Sequence, residues 1–200
     1  MMWLHMATGF TGALTLVFLA RAIYRAIVDV PTVAAYFSPK GGCTEAVMRE
    51  LKRARKEILI LAHAFSSEPL AKALLDAKMR GVRVELLFDR RNEKDSSSDL
   101  HLFAQQGLAP LLDMQSTSAH NSVILIDGRV LLTGSFDFTR QAEEEHADNL
   151  LVVGGYPDVV AAYRKTFLQL KTHGQEFRSG TPAKPPAETP AQDAPARLAA

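Results

Sequence analysis

The stretch that organises the chain reads His120-Asn121-Ser122-Val123-Ile124-Leu125-Ile126-Asp127-Gly128 and continues, after five residues, as Gly134-Ser135-Phe136-Asp137-Phe138-Thr139. The apolar run 123–126 predicts a buried strand, because its length and β-branched content suit one. Asp127-Gly128 predicts a tight turn, and residues 130–132 predict the strand that returns from it. The sequence therefore predicts a short hydrophobic hairpin flanked by polar side chains.

The polar side chains at the ends of this hairpin are the candidates for chemistry. Side chains alternate along a strand, so His120 and Ser122 are expected on one face. Gly134 ends the second strand, where a glycine lets backbone approach a ligand closely, and Ser135 follows it. An imidazole, hydroxyls and the Asp127 carboxylate make this stretch the predicted centre of function.

Composition limits the classes of protein that remain. The 200 residues, 47% of them hydrophobic, suit one domain with appendages. The formal net charge of +1 provides no global basic field for nucleic acid, although a neutral domain can bind phosphate locally. Cys43 is the only cysteine, which excludes an intrachain disulfide and a cysteine-rich zinc site.

The first 30 residues form a separate segment. Residues 1–20 contain no Lys, Arg, Asp or Glu, and an apolar run of ~20 residues is long enough to span a bilayer. The basic residues Arg21 and Arg25 follow the run, which favours an uncleaved N-terminal transmembrane anchor with the rest of the chain on the cytoplasmic side. A cleaved signal peptide, with export of the protein, and a buried core helix are the alternatives.

Strand and helix patterns alternate through residues 31–176. This order predicts an α/β fold with a mixed, mostly parallel sheet flanked by helices. Five of the ten prolines lie in residues 182–195, so the tail 177–200 is predicted to be disordered. Helices are expected at 44–56, 67–80, 99–106 and 157–173, and a short acidic helix or a turn at 141–147. An extended segment is expected at 34–39, and strands at 58–64, 82–88, 109–112, 123–126, 130–132 and 149–153.

The hairpin stretch resembles the HKD motif of the phospholipase D superfamily, whose pattern is His-x-Lys, four residues, Asp, and later Gly-Ser-x-Asn. His120, Asp127, Gly134 and Ser135 match it in order. The similarity extends over residues 34–173 and is that of the small single-motif members, the bacterial endonucleases and mitochondrial cardiolipin hydrolase. It implies a phospholipase D-like fold and a phosphodiester substrate.

The resemblance also implies roles for the matching residues. His120 would attack phosphorus and form a phosphohistidine, and Asp127 would orient a histidine. Ser135 would donate to a phosphate oxygen; the remaining matches are phosphate-binding positions at Ser122, Gly134 and Asp137 and a supporting position at Asp148. Family members use no metal or cofactor. Because this chain carries one motif, a homodimer would supply the second histidine, the general acid, to one shared site.

Three positions depart from the family pattern. Ser122 replaces the lysine that holds the phosphate, Asp137 replaces an asparagine, and Asp148 replaces a glutamate. Loss of one preorganised donor costs ~10²–10³ in rate, and loss of a charge costs more. A cation from elsewhere is one solution, and the candidates are Arg90, Arg91 and Arg140.

Two functions remain open at this point. The first is a membrane-anchored phosphodiesterase that hydrolyses a phospholipid or a nucleic acid. The second is a catalytically inactive, membrane-tethered scaffold or anion-binding protein that keeps the fold. The first depends on the four residues that match the family in order, and the second depends on Ser122 and Asp137. The four matching residues are His120, Asp127, Gly134 and Ser135.

Overall fold

The structure, a computed structural model, describes residues 31–90, 99–115 and 121–177. These residues form one mixed sheet with helices on both faces. The strands are β1 (Thr32–Phe37), β2 (Glu57–Ala62), β3 (Arg83–Asp89), β4 (Leu111–Asp113), β5 (Ser122–Ile126), β6 (Val130–Gly134), β7 (Asn149–Gly154) and β8 (Gly174–Glu176). The helices are α1 (Cys43–Arg53), α2 (Glu68–Met79), α3 (Leu100–Gln105), α4 (Arg140–Glu144) and α5 (Pro157–Lys171).

The strand order across the sheet is β1-β7-β6-β5-β2-β3-β4-β8. Strands β2, β3 and β4 pair in parallel, as the strand-helix-strand pattern predicts. The prediction of a mostly parallel sheet is wrong, because the other five pairs within the described ranges are antiparallel. The β5–β6 hairpin turns through Asp127 and Gly128, both at positive φ (55° and 65°), as a type I′ turn requires.

Alternating side chains divide the core between the two faces of the sheet. Ile58 and Ile60 of β2 and Ile124 of β5 pack on the face covered by α1 and α2. Leu59 and Leu61 of β2 and Val123 of β5 point to the other face, where Phe167 of α5 covers them. This alternation decides which side chains of β5 reach which surface.

The ends of the domain differ slightly from the predicted boundaries. Phe177, placed in the tail by the sequence, is only 8% exposed, packs edge-on against His101 and donates its backbone N–H to the Pro110 carbonyl. The domain therefore includes Phe177, and the short strand β8 before it was not predicted. The anchor prediction for 1–30 and the rest of the tail, 178–200, lie outside the described residues.

No helix in the described ranges has both the length and the apolar character that crossing a bilayer requires.

Candidate active site

Five of the predicted site residues lie where β2 and β6 end and β5 and β7 begin, and this line of strand ends is called the edge below: Ser122, Gly134, Ser135, Asp137 and Asp148. Ser122 is aligned with Ala62 of β2 on one side and with Gly134 of β6 on the other. Gly134 is in turn aligned with Leu150 of β7. The hairpin register therefore brings Ser122 beside Gly134 and Ser135, as the motif requires.

Two of the departures from the family pattern contact each other at this edge. Ser122 is buried, with 5% of its surface exposed, and its Oγ donates to Oδ1 of Asp137 at 3.1 Å. The buried hydroxyl is thus satisfied by a carboxylate. The pair holds a negative charge at the position where the family has a lysine beside an amide.

Ser135 and Gly134 form the part of the edge that matches the family. The exposed Ser135 hydroxyl accepts from the backbone N–H of Asn149 at 3.1 Å and from its Nδ2 at 3.3 Å. A hydroxyl that accepts two bonds still has its own hydrogen to donate, for example to a phosphate oxygen. Gly134 is required here, because a Cβ would lie 2.1 Å from the Asn149 carbonyl oxygen.

Asp148 lies just before β7, at the same edge. Its backbone exchanges hydrogen bonds with Ser38, whose N–H donates to the Asp148 carbonyl at 3.0 Å and whose Oγ accepts from the Asp148 N–H at 3.1 Å. Its Oδ2 is 3.8 Å from Nδ1 of His146. The backbone bonds to Ser38 thus fix the position of Asp148, with its carboxylate near the His146 imidazole.

Glu143 and Cys43 lie beside Asp148, where α1 begins. The Glu143 carboxylate accepts from the backbone N–H groups of Gly42 at 3.2 Å and Thr44 at 2.7 Å, at the start of α1. Burial, and then the charges of Glu143, Asp148 and Glu45, raise the pKa of the Cys43 thiol to about 11. The Cys43 thiol is therefore mostly protonated at neutral pH, which makes it a poor nucleophile.

Asp127 does not join this group, which corrects its predicted role beside a histidine. It sits at the opposite end of β5 from Ser122, roughly 15 Å along the strand. Its carboxylate accepts from the backbone N–H groups of Arg55 at 2.9 Å, Lys56 at 2.7 Å and Glu57 at 3.0 Å. Asp127 thus ties the hairpin turn to the start of β2 instead of contacting the site.

The candidate cations and the histidines differ in whether they lie within the described residues and in what they contact. His120 and Arg91 lie outside the described residues. Arg140 is 79% exposed and pairs with Glu144 at 3.0 Å, and Arg90 directly follows β3. His63, at the end of β2, has its Nδ1 3.7 Å from the buried Asp89 carboxylate.

Two residues at the edge were not predicted from the sequence. Asn149 provides both donors to Ser135, and His146 lies against Asp148. The one sequence signal for Asn149 is that it is the first residue of strand β7. Side-chain periodicity predicts that strand but does not show which strand lies next to it. The contact of His146 depends on the turn that precedes β7, and residue spacing does not specify that turn.

Comparison with known proteins agrees with this architecture. The family model described as cardiolipin synthase, PLD-like domain, matches residues 47–171. A phospholipase D of Rickettsia felis is 36% identical over 121 residues, 60% of this chain and 60% of that protein. A mitochondrial cardiolipin hydrolase of Chlamydomonas reinhardtii is 30% identical over 120 residues, 53% of its own length. The chain spans about three fifths of the length of the curated relatives it matches.

Solved structures show the same fold. The crystal structure of Nuc, a phospholipase D family member from Salmonella typhimurium, matches with a TM-score of 0.72 and 28% identity, over 75% of this chain and 100% of that one. NucT from Helicobacter pylori matches with a TM-score of 0.67 over 74% of this chain, but at 14% identity it shows the fold alone.

Proposed function

This chain belongs to the phospholipase D superfamily, and we propose on that premise that it is a phosphodiesterase that works through a phosphohistidine at His120. The observation that carries the proposal is the register that places Ser122, Gly134 and Ser135 together at one edge, directly after the position of His120. The printed names of the relatives, phospholipase D and cardiolipin hydrolase, support a phosphodiester as the substrate.

The proposed reaction has two displacements at phosphorus. An imidazole nitrogen of His120 forms a bond to phosphorus while the bond to the leaving oxygen breaks, and a second histidine protonates that oxygen. Water then attacks the phosphohistidine, gives its proton to the second histidine and releases His120. Ser135 donates its hydroxyl hydrogen to a phosphate oxygen in both steps, because Asn149 already holds the hydroxyl in place.

The second histidine is proposed to come from another copy of this chain, because His120 stands in the single motif. An apolar surface near the site supports such a homodimer. Val33 and Phe37 of the edge strand β1 and Leu151 of β7 share the sheet face on which α5 packs, and they are 58%, 63% and 36% exposed. Exposed apolar side chains grouped in this way are typical of interaction surfaces. Attachment to a membrane through residues 1–30 remains a proposal from the sequence.

Charge is the argument for a weak or absent activity. Relative to the family pattern, Ser122 removes one positive charge from the phosphate position and Asp137 adds one negative charge. The hydrogen bond between them keeps that carboxylate beside the position a phosphate would occupy. This contact favours the second candidate function, a non-catalytic phospholipase D-like scaffold, and an experiment must separate the two.

The test uses the full chain and compares it with His120→Ala, Ser122→Lys and the double variant Ser122→Lys/Asp137→Asn. Substrates are bis(p-nitrophenyl) phosphate, cardiolipin vesicles, and single-stranded DNA and RNA. The expected result is a weak activity that His120→Ala abolishes and that the double variant raises by at least ~10². An inactive parent, whether or not the double variant is active, would instead support the scaffold.

A further inference from the structure

A cavity of about 180 Å³ lies between α5 and the strands β2 and β5. Val123 forms its floor, Tyr163 and Phe167 form its walls, and Ala162 lies at its rim. Asn121 lines it at the end nearest the motif. Apolar cavities of ~150 Å³ stay dry and bind small hydrophobic molecules, so this one is large enough for a ligand group.

The cavity is next to the site but on the other face of the sheet. Asn121 and Val123 flank Ser122 along the chain, and consecutive Cα atoms are ~3.8 Å apart. Because side chains alternate, Ser122 points towards α1 and α2 while Val123 points towards α5. The Asn121 end of the cavity is therefore one residue along the chain from Ser122, close enough for a ligand with its phosphate at the edge to place its next group in the cavity.

The lining decides which group fits. None of the described lining residues is charged, and the only polar groups are those of Asn121, Thr166 and the Tyr163 hydroxyl. A nucleic-acid strand is held mainly by cations along its phosphates, and this surface offers none. An aliphatic chain needs only apolar contact, and each methylene buried strengthens binding.

We propose that this cavity binds a segment of an acyl chain of a phospholipid whose phosphodiester lies at the Ser122–Ser135 edge. The inference rests on the proposed function, since that function places the phosphate. It selects a phospholipid over a nucleic acid as the substrate class. Binding to this cavity does not require turnover, so the inference is testable even if the chain is inactive.

The experiment measures binding to the full chain by calorimetry, with monomeric glycerophosphocholine, dibutanoyl phosphatidylcholine and dihexanoyl phosphatidylcholine as probes. Each methylene that enters the cavity is expected to tighten binding about fourfold, so the two extra methylenes of one hexanoyl chain predict more than about tenfold. Ala162→Phe fills the rim and should remove this gain. Ala161→Phe, also exposed on α5 but outside the lining, is the matched control and should retain it.

Circular dichroism checks that each variant folds, and Thr166→Phe, exposed at the same cavity, replaces Ala162→Phe if that variant does not. Three results would each overturn the inference: affinity that does not depend on chain length, an equal loss of the chain-length gain in Ala162→Phe and Ala161→Phe, or absence of binding. Hydrolysis that depends on His120 is measured separately. Binding that depends on chain length, without hydrolysis, would support the cavity assignment and reject only turnover. Hydrolysis without such binding would support the proposed phosphodiesterase and reject the cavity assignment.

Discussion

Replacement of Asp127 by alanine should destabilise the whole domain, because this residue joins the β5–β6 turn to the start of β2. Its carboxylate accepts from three backbone N–H groups, those of Arg55, Lys56 and Glu57. Two of these bonds are exposed to solvent, so each is worth ~1 kcal/mol and the three together about 3 kcal/mol. Asp127 also has φ 55°, where alanine costs a further ~1 kcal/mol. We expect a loss of about 4 kcal/mol, a large part of the ~5–15 kcal/mol that holds a domain folded.

Two further variants at Asp127 separate the carboxylate from the backbone angle. Asp127→Gly keeps the positive φ without strain and should lose about 3 kcal/mol, while Asp127→Asn keeps both the angle and an oxygen acceptor and should lose about 1 kcal/mol. Urea unfolding of the full chain measures all three free energies, and the expected order of loss is alanine, glycine, asparagine. Three variants within ~0.5 kcal/mol of the parent would refute this account, because surface substitutions without a structural role fall in that range.

Other predictions concern the edge and the half-buried Asp99. Gly134→Ala should lower the thermal midpoint and the activity of the rescued double variant, because the new Cβ would lie 2.1 Å from the Asn149 carbonyl oxygen; circular dichroism and the phosphodiester assay measure the two losses. Glu143→Gln should destabilise the start of α1 by ~1 kcal/mol in urea unfolding, since a neutral amide replaces a carboxylate that accepts two backbone N–H groups. Burial, and then the Glu68 charge, raise the pKa of Asp99 from 3.8 to about 6. The protonated acid therefore stabilises the fold fully below pH 3.8, and this stability is lost as the pH rises through about 6. Asp99→Asn should flatten that part of the profile of thermal midpoint against pH, and an unchanged profile would contradict the assignment.

Local pattern was enough to predict most elements of this fold. The predicted helix 157–173 is α5, and the predicted hairpin is β5 and β6 with its turn at Asp127-Gly128. Such features depend on periodicity and on turn residues, which are properties of neighbouring positions. The same reasoning located the edge, because Ser122, Gly134 and Ser135 lie at the ends of strands that a hairpin must align.

The features that were wrong or missed depend on residues far apart in sequence. The antiparallel pairing of β5 with β2, and of β7 with β1 and β6, depends on where the chain returns to the sheet, which side-chain periodicity does not encode. Asp127 was expected beside a histidine, but its partners begin 72 residues earlier, at Arg55. The Phe177 contact with His101 likewise joins distant positions, so composition alone assigned that residue to the tail.

Because Ser122 and Asp137 contact each other, the two departures from the family pattern, Ser for Lys at position 122 and Asp for Asn at position 137, must be considered together. A buried serine hydroxyl without a partner costs ~1–3 kcal/mol, and the Asp137 carboxylate removes that cost. If lysine returned at position 122 alone, Asp137 would pair with it, and at about 4 Å and an effective dielectric constant near 20 that attraction is roughly 4 kcal/mol. The ammonium would then be directed to the carboxylate instead of the phosphate. Asp137→Asn alone removes the repulsion but supplies no cation. The effects of the two substitutions on activity should therefore be non-additive, with most of the gain in the double variant, and additive effects would mean that the two side chains act independently.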